Sequence, residues 1–198
     1  MYVFLICYGL QAHAKATILI LGDSLSAGYG LQANESWVNL LEVKLKDNKL
    51  DYAVANGSVS GATSADGLKA LPDLLKTYQP QILVIALGCN DGLRGNSLII
   101  LRSNLAQIIK MATTNNIKVL LVGFRIPDNY GPAYTEGFAK VYSELSEEYN
   151  VPLVPFMLNG FATDSSYFQN DHLHPTAAAQ PLILDNIWPY LQPMLNHD

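Results

Sequence analysis

Five short apolar runs constrain the fold of this chain more than any other feature. They cover residues 17–21, 52–55, 82–87, 119–124 and 152–156. Several are continuous rather than alternating, the pattern of strands covered by protein on both faces. Helical patterns stand between them. Asn34 can cap a helix that carries Trp37, Leu40, Leu41 and Leu45 on one face. A second candidate, over residues 64–78, contains Pro72, which predicts a bend or two short pieces. Ser97 can cap a third, with Leu101, Leu105, Ile108 and Ile109 inward, and two more cover residues 134–149 and 176–191. This alternation predicts a three-layer α/β sandwich: a central parallel sheet of about five strands, helices on both faces and right-handed crossovers. No repeat, low-complexity tract or linker interrupts residues 17–198, which therefore read as one domain.

Composition narrows the function classes. The 198 residues are 49% hydrophobic, enough for a sizeable core. The net charge is -5, with 12 Lys and Arg that form no cluster, so no nucleic-acid partner is expected. The two cysteines, Cys7 and Cys89, do not make a disulfide framework.

Residues 1–16 read as a truncated signal peptide. A short apolar run over residues 2–8 precedes Ala12-His13-Ala14 and Ala14-Lys15-Ala16, both of the small-x-small form cut by signal peptidases. The run is too short to span a membrane. The expectation is an exported protein, periplasmic or secreted, with no stable membrane anchor and monomeric by default.

In open parallel sheets, ligands bind beyond the carboxyl ends of the strands. The chemically distinctive residues fall there. Ser24, in Gly22-Asp23-Ser24-Leu25-Ser26, follows the first run, Gly57 to Gly61 the second, and Asn90 the third, while Asp171 to His174 come after the fifth. A serine hydroxyl needs a base to become a nucleophile, and the base needs an orienter for its other ring nitrogen. Asp171 stands three residues before His174, within reach across one turn of a loop, and Pro175 can open the next helix. Donors for a developing oxyanion are offered by Gly61 and by the Asn90 amide. Taken singly, each segment also fits ordinary turn or cap chemistry.

Two rival readings fit less well. Gly28-Tyr29-Gly30-Leu31-Gln32-Ala33 loosely matches a dinucleotide-binding loop, but it begins several residues after the strand and lacks an acidic partner at the second strand's end. His172, His174 and Asp171 could ligate a metal, but no other histidine is placed to complete the set.

The four segments resemble the motif blocks of the SGNH (GDSL) hydrolase superfamily, over about residue 17 to the C-terminus. The blocks are Gly22-Asp23-Ser24-Leu25-Ser26, Gly61, Gly88-Cys89-Asn90-Asp91 and Asp171-His172-Leu173-His174-Pro175. Residues 86–95, 125–131 and Asn196-His197-Asp198 look most like its bacterial periplasmic thioesterase, protease and lysophospholipase branch, which includes arylesterases. The resemblance implies a flavodoxin-like fold, with Ser24 as nucleophile, His174 as base and Asp171 as orienter. It also implies an oxyanion hole made by the Ser24 and Gly61 N–H groups and the Asn90 side chain. It implies a loop at about 92–96 able to move over the acyl chain, and no metal or cofactor. Cys89 and His172 stand where this branch usually has glycine.

The expected function is hydrolysis of acyl esters and thioesters, lysophospholipids included, through an acyl-serine intermediate. Leu93, Ile126 and Tyr130 are candidate acyl contacts. The alternatives are a carbohydrate acetylesterase on the same fold and a non-catalytic binding module.

Overall fold

The computed structural model describes residues 15–195. At its centre are five strands: β1 (Ala16–Gly22), β2 (Tyr52–Asn56), β3 (Ile82–Ala86), β4 (Lys118–Val122) and β5 (Leu153–Val154). All pair in parallel, in the order β2-β1-β3-β4-β5. The continuous apolar runs account for this arrangement. Every residue of β3 is buried, as are Ile18 to Gly22 of β1, so neither face of the inner strands can meet water.

Among the described residues, seven α-helices connect and flank the strands: α1 (Ser24–Ala27), α2 (Trp37–Asp47), α3 (Ser64–Tyr78), α4 (Cys89–Leu93), α5 (Leu98–Thr114), α6 (Pro132–Tyr149) and α7 (Gln180–Leu191). One helical layer pairs α2 with α7, and the other packs α3, α5 and α6 in series. Trp37, Leu41 and Leu45 of α2 are buried, whereas Leu40 is only partly covered and Val38 takes the inward place. Leu101, Leu105, Ile108 and Ile109 of α5 all enter the core. The buried apolar residues of both layers form one contiguous cluster.

Several helix boundaries differ from those expected. Ser36, not Asn34, caps α2, its hydroxyl accepting from the Asn39 N–H, while Asn34 adopts a left-handed conformation in the preceding turn. The helix α3 runs unbroken through Pro72. Pro72 lies on its exposed side, where water can meet the carbonyl left without a donor one turn earlier. A Thr63–Asp66 capping box fixes its start, each side chain accepting from the other's backbone N–H. Ser97 holds the cap position of α5 but makes no side-chain cap bond. The last helix begins at Gln180 after a single 3₁₀ turn, Ala177–Ala179. Ala16, assigned from sequence to the signal segment, is the first residue of β1, and residues 1–14 and 196–198 lie outside the described residues. The proposed leader, Cys7, His13 and the Asn196-His197-Asp198 ending therefore do too.

A buried carboxylate ties two helix starts together. Asp91 of α4 accepts from the Ser64 N–H at 2.8 Å and from the Ser64 hydroxyl at 2.7 Å. Asn104 of α5 donates to the same hydroxyl at 3.0 Å. Asp91→Ala leaves the buried Ser64 N–H without an acceptor and should cost about 3 kcal/mol of stability. Urea unfolding should show a lower midpoint at unchanged slope; a shift under about 0.5 kcal/mol contradicts this role.

Candidate active site

In a 2-1-3-4-5 sheet the strand order reverses between β1 and β3, and that crevice is where ligands bind. Ser24 follows β1 and Asn90 follows β3, so both flank the reversal point. Ser24 is the first residue of α1. Asp23 caps this helix, its Oδ1 accepting from the Leu25 N–H at 3.0 Å. The Ser24 N–H stands in the first helical turn, where no intrahelical acceptor exists.

The loop after β2 is hooked onto the same place. Val59 N–H donates to the Gly22 carbonyl at 3.1 Å, and the Asn56 amide donates to the Ser26 carbonyl at 2.9 Å. Gly61 then takes a φ of 81°, a conformation that disfavours any side chain. The Ser24 and Gly61 N–H groups have no partner among the described residues. Gly88 caps α4 at a φ of 114°, and a Cβ there would lie 2.2 Å from the Tyr142 hydroxyl. Only glycine lets α4 start so close to α6 and carry Asn90 to the crevice. The Asn90 amide donates to the Ala62 carbonyl at 3.0 Å and, at a longer 3.3 Å, to Asp23 Oδ2.

The base side comes from the far end of the chain. Thr176 N–H donates to the Tyr167 carbonyl and Gln169 N–H to the His174 carbonyl, each at 2.8 Å, closing residues 167–176 into a tight loop. Inside it, Asp171 Oδ1 accepts from the backbone N–H groups of Leu173 and His174, both at 3.0 Å. Asp171 Oδ2 lies 2.7 Å from His174 Nδ1, and His174 Nε2 lies 3.0 Å from Ser24 Oγ. The backbone N–H of His174, its imidazole and the Leu173 N–H hold the Asp171 carboxyl well below the usual carboxylate range. The Asp171 side chain is 41% exposed, so these hydrogen bonds rather than burial keep it ionised. An ionised Asp171 fixes the Nδ1–H tautomer and leaves Nε2 free to take a proton from Ser24.

Asp23 behaves in the opposite way. Burial pushes its carboxyl from 3.8 up to about 6, against the opposing pull of the Leu25 N–H. Between pH 4 and 6 the folded protein holds a proton that the unfolded chain has released, so stability falls as pH rises through this window. The gap corresponds to about 3 kcal/mol. Urea unfolding of Asp23→Asn at pH 4 and pH 7 should lack this loss. Equal losses in variant and wild type would remove Asp23 as its source.

These groups open onto a cavity of about 820 Å³. Ser24, Gly61, Asn90 and His174 line it, with apolar walls from Leu25, Leu93, Ile126, Phe156, Leu158 and Phe168. Of the three candidate acyl contacts, Leu93 and Ile126 therefore face the cavity. Tyr130 is not among its lining residues. Its hydroxyl donates to the Leu93 carbonyl at 2.7 Å, and the Tyr134 hydroxyl holds the Asn96 carbonyl at 2.6 Å. Two tyrosines thus pin the 92–96 segment from behind.

Cys89 also lines the cavity, but burial pushes its thiol above the ordinary thiol range, so it offers no thiolate to compete with Ser24. His172 lines it too, at a φ of 55°, the left-handed conformation that a glycine takes without strain. Among the described residues, no three His, Cys, Asp or Glu side chains gather as a metal-ligand set.

Sequence reasoning missed other residues of the site. The helices α1 and α4 are only four and five residues long, below any detectable period. Tyr29, Gln169, Phe156 and Phe168 were not singled out. The Gly28-Tyr29-Gly30 stretch, which fits a dinucleotide-binding loop poorly, has another role. Its two positive-φ glycines instead turn Tyr29 onto His174, with ring centroids 4.3 Å apart.

Residues 20–181 match the GDSL-like lipase/acylhydrolase family. The chain belongs to this family. It is 46% identical over 185 residues to esterase TesA of Pseudomonas aeruginosa, covering 93% of this chain and 92% of that one. It is 42% identical over 197 residues to thioesterase 1/protease 1/lysophospholipase L1 of Escherichia coli K12, covering 100% of this chain and 93% of the relative. Among solved structures, the psychrotrophic esterase EstA from Pseudoalteromonas sp., inhibited by monoethylphosphonate, superposes with a TM-score of 0.87 at 42% identity, covering 92% of this chain and 100% of that one.

Proposed function

We propose that this GDSL-family acylhydrolase cleaves acyl esters and thioesters through an acyl-enzyme on Ser24. The observation that carries the assignment is the position of His174, with one ring nitrogen 3.0 Å from Ser24 Oγ and the other 2.7 Å from Asp171.

Ser24 Oγ attacks the acyl carbonyl while its proton passes to His174 Nε2. Asp171 supports the resulting imidazolium through Nδ1–H. The carbonyl oxygen becomes an oxyanion, met by the Ser24 and Gly61 N–H groups and by the Asn90 amide, which exchanges its longer bond to Asp23 for the stronger acceptor. As the intermediate collapses, the C–O or C–S bond breaks and the leaving alcohol or thiol takes the proton from His174. Water then repeats the sequence on the acyl-serine and releases the acid.

The substrates are medium or long acyl chains on small alcohols, thiols or lysophospholipids. The apolar walls support this, since an acetyl group leaves most of about 820 Å³ unfilled. The names of the relatives, which span esterase, thioesterase and lysophospholipase, point the same way. The enzyme acts as an exported monomer, periplasmic or secreted. The small-x-small sites near residue 16 support export, and no helix among the described residues is long and apolar enough to cross a membrane.

A fluorophosphonate probe should label the protein at Ser24; labelling that survives Ser24→Ala, or none at all, rules out the serine mechanism. Nitrophenyl esters from acetate to palmitate should show kcat/KM rising beyond acetate. Activity confined to acetate would favour the carbohydrate acetylesterase reading.

A further inference from the structure

Ser24 and His174 are 150 residues apart in the chain, and one hydrogen bond joins them directly. That bond is broken and remade in every turnover, so something else must keep the two loops in register. We propose that Gln169 and Tyr29 are positioning residues that brace the base loop against the nucleophile loop and hold the imidazole facing Ser24.

Gln169 touches both sides. Its side-chain amide donates to the Tyr29 carbonyl at 2.8 Å and to the Pro175 carbonyl at 3.1 Å. Its backbone N–H donates to the His174 carbonyl at 2.8 Å. Both acceptors of the side chain are carbonyls, so the NH₂ end must face them, and a carboxylate there would meet only acceptors. The amide lies against Gly30, where a Cβ would sit 2.1 Å from Gln169 Oε1. Gly30 thus makes room for the brace at a φ of 74°.

Fixing the Tyr29 carbonyl also fixes the backbone that carries its ring. The ring lies against the His174 imidazole, tilted by 37° with centroids 4.3 Å apart, although Tyr29 is 52% exposed. An aromatic face in that place limits rotation of the imidazole and favours the positive charge that appears on it during proton transfer. Asp171 holds the ring at Nδ1. The imidazole is therefore constrained by a hydrogen bond in its plane and by a ring on its face. Gln169 does not line the cavity, and Tyr29, which does, meets the His174 ring there, so both act through His174.

This inference rests on the Ser24–His174 reading and goes beyond it. Gln169→Glu and Tyr29→Leu should each lower kcat on a short nitrophenyl ester by about 10- to 100-fold, with KM within about twofold and little change in melting temperature. Tyr29→Phe, which keeps the ring, should recover most of that kcat. Gln169→Met removes the donor at similar length and gives the same test should the glutamate variant not fold. In a His174→Ala background neither change should lower the residual rate further, because the group they position is gone. Wild-type kcat in both single variants overturns the proposal. So does a loss that appears in KM, or one that repeats in full without His174. Failure of the serine reading is distinguishable, since it shows as activity retained by Ser24→Ala.

Discussion

Ser24→Ala is expected to lower kcat/KM on a nitrophenyl acyl ester by about a millionfold, while the fold and melting temperature stay near those of the wild type. The magnitude follows from how such sites fail. Removing the nucleophile ends the acyl-enzyme route, and what remains is catalysis by the oxyanion donors on attack by water, still about 10³- to 10⁴-fold above solution. The Ser24 N–H is a backbone group and survives the substitution. The hydroxyl is bonded to His174 Nε2 at 3.0 Å and does not belong to the core, so little stability is lost with it. A residual rate within tenfold of the wild type would mean that another group attacks the carbonyl.

Asn90→Ala should cost about 10²- to 10³-fold in kcat, or about 3–4 kcal/mol of transition-state stabilisation, with a smaller change in KM. The asymmetry arises because the amide is engaged before substrate binds. It bridges the Ala62 carbonyl and Asp23 Oδ2, and its weaker partner, at 3.3 Å, yields once negative charge develops on the substrate. The ground-state carbonyl is a poorer competitor for that proton, so the bond counts mainly in the transition state. The variant also strips a donor from buried Asp23, so some loss of stability near neutral pH should accompany the kinetic defect. Steady-state kinetics beside urea unfolding separates the two. A KM effect larger than the kcat effect would place Asn90 in substrate binding instead.

The sheet was legible because burial on both faces leaves a plain signature: inner strands such as Ile82–Ala86 have no polar face to record. The nucleophile and base loops were legible for a related reason. Singly their residues fit ordinary turns, but together they recur at successive strand ends, where a parallel sheet gathers its ligands. What escaped was set by tertiary contact. Pro72 reads as a helix breaker, yet an exposed position in a well-capped helix absorbs it. Short α1 and α4 have no period to detect and exist because Asp23 caps one and Gly88 permits the other. Gln169 carries no motif at all: its importance lies in a bond to Tyr29 across 140 residues, which no local pattern encodes. Tyr130 reads as a loop aromatic suited to an acyl chain, but its hydroxyl spends itself on the Leu93 carbonyl.

The chain separation between Ser24 and His174 has a consequence for biogenesis. Ser24 is synthesised 150 residues before His174. Until the loop that carries His174 brings its Nε2 within 3.0 Å of Ser24 Oγ, the serine is an ordinary alcohol. A nascent chain that has not yet folded therefore holds no assembled Ser24–His174–Asp171 set. Activity requires that the Ser24 loop and the 167–176 loop fold together.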